Sequence, residues 1–141
     1  YCINTITKSM GAADFLLGVC ESWMTPALFL SVTFIAGAVI SFFTGSSWGT
    51  FAICIPIAVP MAYSFTGGQL GTLVYAAVGA VVSGGLFGDH CSPVSDTSVL
   101  SSLGAACDHI DHVRTQLPYA LLAAGISIIL WIVVALVGGA A

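Results

Sequence analysis

Charge is what this sequence most lacks. Two basic residues, Lys8 and Arg114, and six acidic ones are all that 141 residues carry, 6% of the chain, against roughly 25% in soluble domains. From Ser22 to Gly88 there is no Asp, Glu, Lys, Arg or His. That excludes an ordinary water-soluble fold, and two basic groups in a chain of net charge −4 exclude binding nucleic acid through its phosphates. As helix, those 67 residues would extend roughly 100 Å, several times a hydrocarbon core of about 30 Å, so they cross or re-enter a bilayer more than once. Cysteine is scarce as well. Cys2, Cys20, Cys54, Cys91 and Cys107 are odd in number, without a C-x-x-C pair, and read as small buried hydrophobes, not a disulfide frame. There is no internal repeat, no low-complexity linker, and no basic leader before the first apolar segment. A chain that opens on Tyr1 in a mixed segment is therefore expected to be part of a longer protein.

What is present is apolar: 58% of residues are hydrophobic and the mean hydropathy is +1.07. The predicted fold class is all-α, a fragment of a polytopic membrane protein. Residues 1–25 read as a helix end and a loop. Pro26 suits a first helical turn, and Leu28 to Phe43 follows as an apolar helix of 16 residues, roughly 24 Å and slightly short of a full crossing. It ends in Thr44-Gly45-Ser46-Ser47-Trp48-Gly49-Thr50, after which Phe51 to Phe65 is apolar again. Helix, polar cluster, helix fits either a re-entrant hairpin with its tip at membrane depth or two spans joined by a tight turn, and the short first helix favours the hairpin. Thr66-Gly67-Gly68 is a surface turn. Gln69 to Phe87 is another apolar segment, rich in the small residues that permit close helix packing.

It runs into Gly84-Gly85-Leu86-Phe87-Gly88-Asp89-His90-Cys91-Ser92-Pro93-Val94-Ser95-Asp96-Thr97-Ser98. Three glycines and a proline predict an interrupted helix. A short helix over about 99–106 follows, then a polar segment, Cys107 to Arg114, at the water interface, and Leu117 to Val137 as a full transmembrane helix with Pro118 near its first turn. A carboxylate at membrane depth costs about 2.5 to 3.5 kcal/mol or more and persists when it binds something. Asp89 and Asp96 are the candidates, seven residues apart around Pro93, so an unwound segment would turn both into one cavity and free backbone carbonyls. Carboxylate, hydroxyl and carbonyl oxygens suit Na+ or a proton, not a soft metal. A carboxylate removed from water holds a proton more readily, and a group that holds either a proton or Na+, but not both, is the minimal basis of antiport. The competing reading is a solvated loop in which Asp96 only caps the next helix. For the Thr44–Thr50 cluster, a hairpin turn whose hydroxyls satisfy local backbone groups competes with substrate binding. Cys107, His109 and His112 invite a metal reading, but the spacing is poor. His90, Asp108, His109, Asp111 and His112 alternatively form a pH-responsive gate. No metal site and no cofactor is expected.

Three strings carry a resemblance: Gly45 to Thr50, Gly88 to Thr97, and Cys107-Asp108-His109-Ile110-Asp111-His112-Val113-Arg114-Thr115-Gln116-Leu117-Pro118-Tyr119. They resemble the C-terminal half of NhaC-type Na+/H+ antiporters, over roughly Pro26 to the end. The resemblance implies residues 26–141 are the C-terminal transport portion of an ion-coupled antiporter, with inverted repeats, re-entrant hairpins and an interrupted helix at the binding site. It implies Na+ outward against H+ inward across the cell membrane by alternating access. Asp89 and Asp96 would exchange the ions, Ser92, Ser95 and Thr97 would complete the shell, and Ser46, Ser47 and Thr50 would approach from the facing hairpin. Relatives of this kind include exchangers of organic acids, such as malate against lactate, so a Na+- or H+-coupled organic acid or amino acid exchanger is the alternative. A non-transporting metal-binding membrane module around Cys107, His109 and His112 is the third reading; an enzyme is not expected. The expected partners are the bilayer, the rest of the same chain and a second copy in a homo-oligomer, in the plasma membrane. Arg114 and Lys8 point the 108–114 segment to the cytoplasm.

Overall fold

The computed structural model describes residues 5, 10, 11, 15, 18 and 25–138. The helix end and loop expected over 1–25, with Lys8, Cys2 and Cys20, lie outside the described residues. The rest is helical. Helix α1 spans Pro26–Thr44, α2 Ser47–Phe65, α3 Thr72–Cys91, α4 Asp96–Gly104 and α5 His109–Gly138. Three of them, α2, α3 and α5, are long and apolar enough to cross a membrane. The chain is thus a polytopic all-α membrane protein.

Pro26 opens α1 as its missing N–H allows, one residue after the extended Thr25. The helix stops at Gly45, whose φ of 67° is left-handed and whose N–H bonds to the Ser41 carbonyl. Two residues suffice to reverse the chain, because Ser46 caps α2 by accepting from the Gly49 N–H at 3.3 Å. Both arms have 19 residues, about 28 Å each, but the apolar part of α1, Leu28–Thr44, is shorter than a full span while α2 is long enough to cross, which is the short first arm that favours the hairpin. Pro56 and Pro60 stay inside α2. Gly67 and Gly68, with φ of 65° and 86°, form the expected turn before α3.

Helices α1 and α3 run parallel and in close contact, and α2 and α5 run antiparallel to them. The glycines expected to break α3 do the opposite: the helix continues through Gly84, Gly85 and Gly88 to Cys91. They are small because α1 lies on them. A Cβ on Gly84 would overlap the Phe34 carbonyl oxygen, one on Gly88 the Ala38 carbonyl oxygen, and one on Gly85 would meet the Phe51 ring at 2.6 Å. Membrane helices associate through such small residues, since lipid offers no hydrophobic drive between helices. Ser41 adds a bond across this contact, donating to the Gly85 carbonyl at 2.6 Å. The buried core, Phe29, Leu30, Phe34, Met61, Ala62, Val74, Ala77 and Val81, sits where α1, α2 and α3 meet. On the other flank of α3, Trp131 of α5 donates its indole N–H to Ser83 at 3.3 Å.

The real interruption is four residues, 92–95, and the next helix begins at Asp96 instead of 99. Helix α5 likewise starts earlier than Leu117. It absorbs most of the polar 107–114 segment and carries Pro118 well inside it. The cause is Asp108, whose Oδ1 accepts from the N–H groups of Ile110 and Asp111 at 2.9 and 3.3 Å. An aspartate at a helix start satisfies orphan donors and meets the positive end of the dipole. Among the cysteines, Cys91 is buried, Cys54 is half-buried and Cys107 is exposed, so the expectation of burial fails for Cys107.

Candidate functional site

Two interruptions meet at one end of the bundle. The α1–α2 turn lies against the 92–95 segment: a Cβ on Gly45 would stand 3.0 Å from the Val94 carbonyl carbon and 3.1 Å from the Ser95 nitrogen. Ser92, fully buried, donates to the Phe42 carbonyl at 2.6 Å and accepts from the Val94 N–H at 3.2 Å. It thereby ties the broken end of α3 to the last turn of α1.

Between them is Asp89, 7% exposed, in the last turn of α3. Its Oδ1 accepts from Ser95 Oγ at 2.7 Å and its Oδ2 from Ser47 Oγ at 3.2 Å. Each donor stands at the start of a helix, Ser47 as the first residue of α2 and Ser95 as the cap of α4. The carboxylate therefore receives two hydroxyl hydrogens and faces two positive helix ends. Ser95 has one hydrogen, and Asp89 takes it. The 2.7 Å contact between Ser95 and Thr97 hydroxyls is then a donation from Thr97, and the Thr97 N–H adds a second at 3.2 Å. A relay Thr97 to Ser95 to Asp89 results, in which every hydroxyl can rotate to turn a lone pair toward a cation. Oxygen donors of this kind are hard ligands suited to Na+. If Asp89 takes a proton instead, it becomes a donor and one serine must turn to accept.

Not every candidate converges here. Asp96 is exposed and shares none of these bonds. Ser95, not Asp96, is the cap, which leaves Asp96 as the first helical residue, so the expectation that both carboxylates turn into one cavity does not hold in the described structure. Ser46 caps α2 through Gly49, and buried Thr50 donates back to the Ser46 carbonyl at 3.0 Å. Both serve the hairpin turn, so of that cluster only Ser47 touches Asp89.

The polar groups around the α5 start divide similarly. His90 is exposed and lines a groove between α1, α3 and α5 with Ser83 and Ser127, and its carbonyl accepts from Ser98. Asp108 is a cap, Asp111 is exposed in the first turn, and His112 is half-buried. His109 alone of this group reaches the interruption, with Nε2 2.7 Å from the Pro93 carbonyl oxygen and Nδ1 3.2 Å from Ser102 Oγ. Those ring contacts were not readable from sequence, because they depend on where α4 ends. Among the described residues no group of three or more His, Cys, Asp or Glu side chains could hold a metal ion.

The string Gly45-Ser46-Ser47-Trp48-Gly49 also has the G-x-S-x-G spacing of a hydrolase nucleophile elbow. That device needs a strand entering a sharp turn into a helix, with a histidine base on the serine. Here a helix enters the turn and Ser47 bonds to Asp89, so the match is one of spacing alone.

Comparison with known proteins gives the family. A model described as the Na+/H+ antiporter family matches residues 1–136. The chain is 37% identical to the malate-2H(+)/Na(+)-lactate antiporter of Bacillus subtilis over 114 residues, 81% of this chain and 23% of that protein. It is 32% identical to the arginine/ornithine antiporter ArcD of Halobacterium salinarum over 126 residues, 89% of this chain and 25% of that one. It is also 32% identical to the Na(+)/H(+) antiporter NhaC of Alkalihalophilus pseudofirmus over 124 residues, 88% of this chain and 26% of that one. The chain thus spans about a quarter of the length of these relatives. No solved structure matches. With a family model covering nearly its whole length, this chain belongs to the Na+/H+ antiporter family.

Proposed function

We propose that this chain forms the ion-exchanging part of an antiporter that moves Na+ outward against H+ by alternating access, in a multi-pass protein of the plasma membrane. The observation that carries this reading is Asp89, a buried carboxylate held by Ser47 and Ser95 at the meeting point of two helix interruptions. Desolvation makes such a group expensive unless it exchanges partners, and a carboxylate that alternates between a proton and Na+ couples the two fluxes. The chain needs no cofactor for this; Na+ and H+ are cargo. The remainder of the transporter and the bilayer supply the missing walls, and Asp96, on the exposed side of α4, faces them.

A second reading follows from the relatives named for malate and lactate and for arginine and ornithine. There an organic substrate would be the cargo and Asp89 would hold only its coupling cation. The composition of the site favours the first. The groups gathered on Asp89 are hydroxyl oxygens, hard ligands that suit Na+ or a proton.

The test is the pH change inside proteoliposomes holding the full-length protein after addition of Na+, Li+, K+ or choline. A pH change that follows Na+ and is absent with choline is expected. Silence with all four cations, together with exchange of a labelled dicarboxylate or amino acid under an ion gradient, would replace the first reading by the second.

A further inference from the structure

We propose that His109 is a positioning residue for the Asp89 site, a proton-dependent latch that grips the 92–95 interruption from the start of α5. The claim rests on the reading of Asp89 as the ion-exchanging group. Its basis is hydrogen-bond accounting. The Pro93 carbonyl can only accept, so Nε2 at 2.7 Å must carry a hydrogen. Ser102 is buried and gives its single hydroxyl hydrogen to the Val99 carbonyl at 2.8 Å. Its oxygen, 3.2 Å from Nδ1, is then free only to accept, and Nδ1 must carry a hydrogen too. All three bonds coexist only in the imidazolium. When the ring loses a proton, Nε2 keeps its hydrogen and Ser102 must abandon Val99 to donate to Nδ1, so the grip on Pro93 loses its charge assistance, about half its strength.

The latch acts where the site is made. Pro93 lies between Ser92, which ties the interruption to α1, and Ser95, which holds Asp89. Loosening Pro93 therefore loosens the donor on Oδ1 without touching the carboxylate. No carboxylate contacts the His109 ring through these bonds. The titratable and charged groups on elements packed against α5 are Tyr75 near the start of α3, Asp89, His90 and Cys91 at its end, and Asp96 at the start of α4; α1 has none. Cys107, Asp108, Asp111, His112 and Arg114 flank the ring along its own segment, with Asp108 engaged by its own helix start. Protonation of the ring therefore closes the latch, and loss of the proton relaxes it.

The experiment reads the segment directly. In the full-length protein with Cys107→Ser, a Val94→Cys substitution places a thiol on the exposed Val94, and a membrane-impermeant maleimide reports its accessibility. Labelling rates are compared between His109 and His109→Gln, which keeps a neutral N–H donor, so that thiol ionisation cancels in the ratio. The variant is expected to label about fivefold faster at about pH 5.5 and at an equal rate at about pH 8. A ratio that is the same at both pH values would overturn the proposal, since a merely structural role predicts that. The pH profile of Na+-driven flux should also lose its acid limb in His109→Gln, and an unchanged profile would overturn the link to transport. If no Na+-driven flux exists in either protein, the exchange reading fails while the labelling ratio still decides the latch.

Discussion

At the scale of the residue, everything turns on how one carboxylate is kept in an apolar bundle. Asp89 has two hydroxyl donors, and hydrogen bonds to a charged group contribute about 1.5 to 3 kcal/mol each. Ser95→Ala removes the shorter bond and the α4 cap together, so apparent Na+ affinity should fall by at least about tenfold. Ser95→Thr should restore most of it, as measured by the Na+ concentration for half-maximal pH change. Thr97→Val leaves Ser95 without one hydroxyl partner but keeps its bond to Asp89, and a loss of no more than about fivefold is expected. Asp89, Ser47 and Ser95 were legible in the sequence because an acid and hydroxyls among glycines and a proline are conspicuous in apolar chain. Asp96 was equally conspicuous, yet the structure leaves it exposed and outside the bonds that hold Asp89. One residue past a helix cap, it takes helical geometry and shares no bond with the group its neighbour holds, which composition does not reveal.

At the scale of the element, the glycines of α3 were misread because a glycine that breaks a helix and one that admits a second helix are identical in sequence. The difference is what lies opposite. A Cβ on Gly88 would come within 2.7 Å of the Phe42 nitrogen, so Gly88→Val should push α1 off α3 at a cost of at least about 1 to 3 kcal/mol. A lowered thermal midpoint of the purified protein would check this. Gly125, with nothing within 4 Å, is the control: Gly125→Ala should be neutral or stabilise α5 by up to about 1 kcal/mol. Gly45→Ala meets two penalties, a left-handed φ costing about 1 to 2 kcal/mol and the Val94 backbone at 3.0 Å. It should uncouple the α1–α2 turn from the 92–95 segment and depress exchange more than it depresses folding, measured as flux per mole of detergent-stable protein. The early start of α5 was hidden for another reason: polarity marks the water interface, whereas the Asp108 cap marks the helix, and the two boundaries differ by several residues.

At the scale of the whole molecule, the membrane class, the all-α fold and the family were readable from missing charge and three strings of residues. The assembly was not, because the chain covers about a quarter of its relatives. Large apolar side chains stay exposed along α2, α4 and α5, among them Trp48, Leu100, Leu103 and Tyr119, and apolar surface on this scale is covered by lipid or by further protein. The 141 residues reconstituted alone are expected to give no Na+-driven pH change, since one wall of a site does not alternate access. Flux from them would show that two copies complete the pathway.

The most direct measurement is Na+-driven pH change in proteoliposomes of the full-length protein carrying Asp89→Asn, beside Asp96→Asn and the unaltered protein at equal reconstitution. Asp89→Asn is expected to abolish the response, while Asp96→Asn retains Na+-dependent exchange with altered affinity. A full response from Asp89→Asn would contradict this expectation.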